Sequence, residues 1–234
     1  ICCWTTYISY SFMKKTSNSE NLLHMLQKPA EIFAGIMPMD RRIYSSRLYM
    51  RRCGKKDSQT LHKLMTANRD YLEKWLQPQP KVISIDCVRD IIEEDKRFAK
   101  LGQRLDLAIF DSANDEMLGR IALHSVDFGI QRSAGVSYWI TEKNAGNGYA
   151  TEALATLISF AFEEVLLHRI WLKIIESNKA SMAVAKKLGF VNEGVSRKSL
   201  FVDGKWNDSI NYALLDNEYD ELADKWIASG YLGM

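Results

Sequence analysis

Hydrophobic and polar positions change their period sharply in the second half of the chain. Val136, Tyr138 and Ile140 alternate with Ser137, Trp139 and Thr141, the period of a strand. From Ala150 onward, apolar residues fall at Ala153, Leu154, Leu157, Ile158, Ala161, Phe162 and Val165, the spacing of one helical face over four turns. The stretch from Asn144 to Ala150 is therefore expected to be a strand-to-helix loop. The first N–H groups of a helix lack partners within it, and the helix dipole places partial positive charge there, so such a loop can cradle phosphate oxygens. Gly146 and Gly148 would let the backbone approach a ligand, and Ala150 keeps the next turn open. Asn147-Gly148 is also a favoured two-residue hairpin turn, but the residues after it have helical rather than alternating period.

The same reading extends in both directions. Downstream, Arg169 to Glu176 is an apolar strand, followed by Ser177-Asn178-Lys179-Ala180-Ser181 and a short helix ending in Lys186-Lys187-Leu188-Gly189. Strand, helix, strand and helix with one short crossover predict a right-handed βαβ unit, whose two carboxyl-end loops face one crevice. Upstream, residues 47–51 read as a strand, and Leu61, Leu64, Met65, Asn68, Leu72 and Trp75 as one face of a single helix that stops before Pro78. A second helix is expected from a Ser84 cap, with Val88, Ile91, Ile92, Phe98 and Ala99 inward, and then strands at 105–110 and 117–123. A hairpin about Asp203-Gly204 joins residues 200–202 to 206–215. Three antiparallel strands thus precede the parallel pair. The expected class is α+β: a mixed, mostly antiparallel sheet with a central parallel strand pair and helices on both faces.

Composition narrows the function. With 234 residues, 47% of them apolar, the chain can build a full core plus an appendage. A net charge of +2 from 31 basic and 29 acidic residues is too balanced for a general nucleic-acid or membrane binder. Cys2, Cys3, Cys53 and Cys87 form no CxxC and have no partnered histidines, so neither a metal site nor a disulfide framework is expected, and a cytoplasmic location fits. No apolar run reaches ~18 residues. Residues 1–44 read as an N-terminal extension, with Met13-Lys14-Lys15 resembling a start and residues 1–12 upstream translation or the tail of a preceding domain. A short helix from Leu22 to Phe33, interrupted at Pro29, is expected within it. Residues 45–220 form the domain proper and 221–234 a C-terminal tail.

Three motifs together resemble a known family. GYATEALATLISFAFEEVLLHRI, the Asn178-x-x-Ser181 pair followed by KKLGF and Glu193-Gly194, and LFVDGKWNDSINYAL resemble the GNAT superfamily of N-acetyltransferases, and within it the Rim-type acetyltransferases of ribosomal-protein N-termini. The resemblance covers roughly residues 46 to 220. It implies acetyl-coenzyme A as cofactor, with the pyrophosphate on the glycine loop and pantetheine between the two parallel strands. Carried over, the cofactor residues are Ile140, Thr141, Gly146, Asn147, Gly148, Tyr149, Ala150, Thr151, Asn178, Lys179 and Ser181. The catalytic candidates are Ser181, Asn178 and Glu176, and the acceptor groove would use Trp75, Tyr138, Trp139 and His124. The chain departs from the family's pattern where the loop begins with Ala145 instead of Gln or Arg. It departs again where Gly135 stands for a usual glutamate and Ser137 for a glycine.

The implied activity is acetyl transfer to a primary amine, either a protein N-terminal α-amine or a small aminoacyl compound such as an aminoacyl nucleotide, by a monomer or homodimer. Other readings compete. A dinucleotide fold would use Gly146-x-Gly148 likewise, but has Thr151 at its third glycine position, and a P-loop would need Gly-Lys-Ser/Thr where this chain has Gly-Tyr-Ala. A non-catalytic coenzyme A sensor would explain the missing glutamate. Residue by residue, Ser181 can be a first-turn helical serine, Asn178 a plain N-cap, Glu176 a surface carboxylate and His124 a structural histidine.

Overall fold

The structure, a computed structural model, describes residues 33, 35–76 and 84–233. Residues 1–12, and all of the expected 22–33 helix except Phe33, lie outside the described residues. Eight strands form one sheet: β1 Ile43–Tyr44, β2 Leu48–Arg51, β3 Leu105–Asp111, β4 Met117–Asp127, β5 Ser133–Ile140, β6 Arg169–Ile175, β7 Val191–Val202 and β8 Lys205–Leu215. Their order is β1-β2-β3-β4-β5-β6-β8-β7, and every pairing is antiparallel except β5 with β6. The helices are α1 Ser58–Ala67, α2 Arg69–Leu72, α3 Ile85–Lys100, α4 Tyr149–Glu163, α5 Lys179–Lys187 and α6 Asp216–Ala228. Among the described residues, no helix is long and apolar enough to cross a membrane.

Period-two alternation puts the two halves of the core on opposite faces of the sheet. Leu48, Met50, Leu107 and Ile109 point to the face that holds α4, where they pack with Leu154, Leu157 and Ile158. Tyr49, Ala108 and Phe110 point the other way, onto Leu61 of α1 and Val88 and Ile92 of α3. Helices therefore cover both faces, as the expected class requires.

Several elements differ from expectation. The helix expected across 61–75 breaks at Asn68, because that side chain competes for backbone groups. Its Nδ2 donates to Leu64 O at 2.9 Å, and its Oδ1 accepts from Glu142 N at 2.8 Å, tying α1 to the loop after β5. A fourth antiparallel strand, β1, precedes the parallel pair within the segment expected to be an extension, and Phe33 and Met37 are wholly buried in the core. The last hairpin is longer than expected, β7 starting at Val191 instead of Leu200. Its Asp203-Gly204 turn has φ of 54° and 68°, the mirror-image turn that suits strand twist. Residues 221–228 belong to α6, which buries Tyr219 and Trp226 against the core, with Tyr231 and Leu232 beside it.

Candidate active site

The site begins where two parallel strands part. β5 and β6 pair only at Ser133↔Arg169, Ala134↔Ile170 and Gly135↔Trp171. Beyond that row β5 runs on to Ile140 bound to β4, and β6 runs on to Ile175 bound to β8. The edges that face each other past Gly135 and Trp171 have no strand partner across the gap, so their N–H and C=O groups are open to an extended chain that carries amides of its own.

Two loops close the open end of this slot. After β5 a single 3-10 turn, Glu142–Asn144, leads to Gly146 and Gly148, with φ of 80° and 82°. Gly148 is the N-cap of α4 and supplies no side-chain cap, so the first-turn N–H groups are left for a ligand. The hairpin alternative is excluded, since Tyr149 begins a helix. After β6, Asn178 caps α5 by accepting from Ser181 N at 3.0 Å, which fixes the first turn of that helix at the slot. Tyr138 reaches across from β5, its Oη 2.9 Å from Ser181 Oγ.

A cavity of about 700 Å³ fills the space between the loops. Of the residues expected at a site, Trp75, Tyr138, Trp139, Ile140, Gly146, Gly148, Tyr149, Ala150, Thr151, Asn178, Lys179 and Ser181 line it. Thr141 and Asn147 do not. Thr141 is buried and accepts from Asn144 Nδ2 at 2.9 Å, and Asn147 turns its carbonyl to Arg47. Glu176 also lies apart, exposed at a shallow depression with Lys198, Lys205 and Asp208.

His124 is likewise outside the cavity wall. It packs edge-on against Trp171, with ring centroids 5.2 Å apart. These two rings explain Gly135, because a Cβ there would lie 2.4 Å from His124 Cε1 and 2.5 Å from the Trp171 ring. The structure thus brings Tyr138, Asn178 and Ser181 together and leaves Glu176 and His124 elsewhere.

Sequence reading missed part of the wall. Tyr71, Leu72 and Leu76 approach from α2 and the residues after it, and Ala183, Val184 and Lys187 from α5. Ala180, Ala183, Val184 and Lys187 are spaced i, i+3, i+4 and i+7, so helical period alone could have found that face. No comparable signal marks Tyr71, which arrives only through the break at Asn68.

The electrostatics are one-sided. Among the described lining residues the charged ones are Lys179 and Lys187, and none is a carboxylate. Burial pushes the Tyr138 hydroxyl up to about 12, so it remains a neutral donor throughout the physiological range. Burial, reinforced by Arg104, lowers the His124 pKa. No group of three or more His, Cys, Asp or Glu side chains suited to a metal occurs among the described residues. An anion-binding helix end, a slot for an extended amide chain and two neutral hydroxyls at its inner end fit a long phosphorylated carrier that bears a reactive group at its tip.

Comparison with known proteins agrees. The family model for an acetyltransferase (GNAT) domain matches residues 47–191. YdaF of Bacillus subtilis, a candidate ribosomal N-acetyltransferase, is 34% identical over 167 residues, covering 70% of this chain and 89% of its own. The ribosomal protein uS5-alanine N-acetyltransferase of Escherichia coli is 28% identical, over 74% of this chain and 90% of its own. Among solved structures, RimJ of Mycobacterium smegmatis in complex with a CoA disulfide superposes with a TM-score of 0.74 at 27% identity, over 82% of this chain and 93% of its own.

Proposed function

Since the chain belongs to the GNAT family of acetyl-coenzyme A-dependent N-acetyltransferases, we propose that its acceptor is the N-terminal α-amine of a protein, a ribosomal protein first among them. One observation carries this reading: no carboxylate lines the described cavity wall. An α-amine, with a pKa of about 8, is about one-tenth neutral at pH 7 and can attack unaided, whereas a lysine amine near 10.4 is neutral to below about a thousandth and needs a base. A polyamine would further need acidic partners for its remaining charges. The names of the relatives support the same class of acceptor, and a cytoplasmic location belongs to this reading.

Acetyl-coenzyme A, when bound, supplies the activated acetyl thioester. Gly146, Gly148 and Tyr149 are the residues to hold its diphosphate through backbone N–H groups, and the β5–β6 slot the one to hold its amide-bearing arm. At the inner end, the Tyr138 and Ser181 hydroxyls share a hydrogen bond. They can donate a hydrogen bond to a leaving thiolate, an interaction strongest in the transition state, and a proton from solvent then neutralises the thiolate. Trp75, Trp139 and Tyr71 form an apolar wall for the acceptor's first side chain. The acceptor's proton leaves to solvent.

The test is mass spectrometry after incubating the protein and acetyl-coenzyme A with unacetylated ribosomal proteins, with a polyamine and with an aminoacyl nucleotide. A mass increase confined to protein N-terminal residues is expected. Acetylation of lysine side chains, of the polyamine or of the aminoacyl nucleotide alone would overturn the assignment.

A further inference from the structure

Glu152 is wholly buried in the first turn of α4, a helix whose other buried positions are mostly apolar. A buried carboxylate is costly unless it is paired and its lone pairs are filled, and here they are filled from a segment about a hundred residues earlier. Ser45 Oγ donates to Oε1 at 2.8 Å, Arg47 N to Oε1 at 2.7 Å and Arg47 Nε to Oε2 at 2.7 Å. Arg47 Nη2 also lies 2.7 Å from Oε2, and the edge between the two Nη atoms reaches the glycine loop as well. Both Arg47 Nη atoms lie 3.3 Å from Asn147 O, in the glycine loop, and the guanidinium stacks 4.6 Å over the Tyr149 ring.

We propose that Arg47 and Glu152 are a positioning pair for the diphosphate loop. Two effects follow from the geometry. A trans peptide holds its N–H opposite its C=O, so the grip on Asn147 O fixes the Gly148 N–H on the side away from Arg47, available to an anion. Charge is the second effect. An unpaired carboxylate in the first turn would offset the helix dipole at the point where it must attract phosphate. Arg47 cancels that charge and leaves the dipole free. Arg47 stays behind the loop and does not line the cavity. In this chain the loop begins with Ala145, whose methyl adds no side-chain hydrogen bond of its own, so the backbone carries the anion and its orientation matters more.

The inference rests on the reading that the diphosphate lies on the Gly146–Gly148 loop, and the experiment separates the two. Coenzyme A affinity is measured by calorimetry for wild type, Arg47→Ala, Arg47→Lys and Gly148→Val. Turnover of each is measured with acetyl-coenzyme A and with acetyl-pantetheine, which has no phosphate. Arg47→Ala should weaken coenzyme A binding and raise KM for acetyl-coenzyme A by roughly tenfold or more, with kcat nearly unchanged and kcat/KM for acetyl-pantetheine within about twofold of wild type. Arg47→Lys, which keeps charge but not the fork, should fall between. A parallel loss on both donors marks a general folding defect and overturns the pair, as does an unchanged coenzyme A affinity in Arg47→Ala while Gly148→Val binds weakly. Wild-type affinity in Gly148→Val overturns the loop reading and the pair together.

Discussion

Tyr138 Oη and Ser181 Oγ lie 2.9 Å apart, joining the strand on one side of the slot to the first helical turn on the other. Only one of the two hydroxyls can donate to the other at any moment, so the second proton is free for a group placed between the strands. Ser181→Ala removes the group nearest the helix and should lower kcat by roughly 10–10³-fold with little change in coenzyme A affinity. Tyr138→Phe should cost less alone. The double variant should resemble Ser181→Ala if the hydroxyls act as one unit, since directly contacting groups are not additive. Steady-state kinetics of the three variants checks this, and full kcat in Ser181→Ala would remove the serine from the mechanism.

Glu176 stands outside the cavity, exposed among Lys198, Lys205 and Asp208. Glu176→Gln should therefore keep kcat within about threefold of wild type. With no carboxylate or histidine among the described wall residues, the pH profile of kcat/KM should rise with the α-amine of the acceptor and shift when an acceptor of different amine pKa is used. Abolished turnover in Glu176→Gln with intact cofactor binding would restore the carboxylate as general base.

His124 offers a pH test of stability instead of rate. Its folded pKa lies below the ordinary 6.5 because burial and Arg104 disfavour the imidazolium. A depressed pKa means that the histidine's contribution is present above pH 6.5 and is lost as pH falls through the folded value. Denaturant unfolding of wild type and His124→Gln at pH 7.5 and pH 5 should show the wild-type advantage shrinking at the lower pH. An advantage that grows at pH 5 would contradict the direction of the shift.

Much of the site was legible because its parts are local in sequence. The change of period at Gly148, and Asn178 standing three residues before Ser181, are each contained within one turn of chain. Arg47 and Glu152 were not legible, since a glutamate amid apolar helix positions has no visible partner until the fold brings one from across the chain. The start of β7 was hidden for another reason: residues 191–195 are all exposed, so no alternation marks them. α6 is the opposite case. Tyr219, Leu222, Ala223 and Trp226 carry a plain i, i+3, i+4, i+7 pattern that was there to be read as a core helix. Trp226→Ala, removing a side chain 2% exposed, should accordingly cost about 3–5 kcal/mol. A melting temperature unchanged by that substitution would detach α6 from the core.

The break at Asn68 links the cavity wall at Tyr71, Leu72 and Trp75 to the loop that leads to the glycines. The residue is 8% exposed, and its side chain makes two hydrogen bonds, one to Leu64 O in the last turn of α1 and one from Glu142 N at the start of the loop that leads to Gly146. Asn68→Ala leaves Glu142 N without that partner in a buried setting, while Leu64 O keeps its bond from the backbone N–H of residue 68, at a cost of about 1–3 kcal/mol. It also restores a good helix former at the break, so α1 and α2 can run together and swing Tyr71, Leu72 and Trp75 from their places. The expected result is a lower melting temperature together with a raised KM for the amine acceptor. Asn68→Asp separates these effects, because it keeps the acceptor for Glu142 N and loses the donor to Leu64 O. It should retain the KM for the acceptor more fully than Asn68→Ala at comparable loss of stability. Equal KM values in the two variants would show that the tie to Glu142 does not hold the wall.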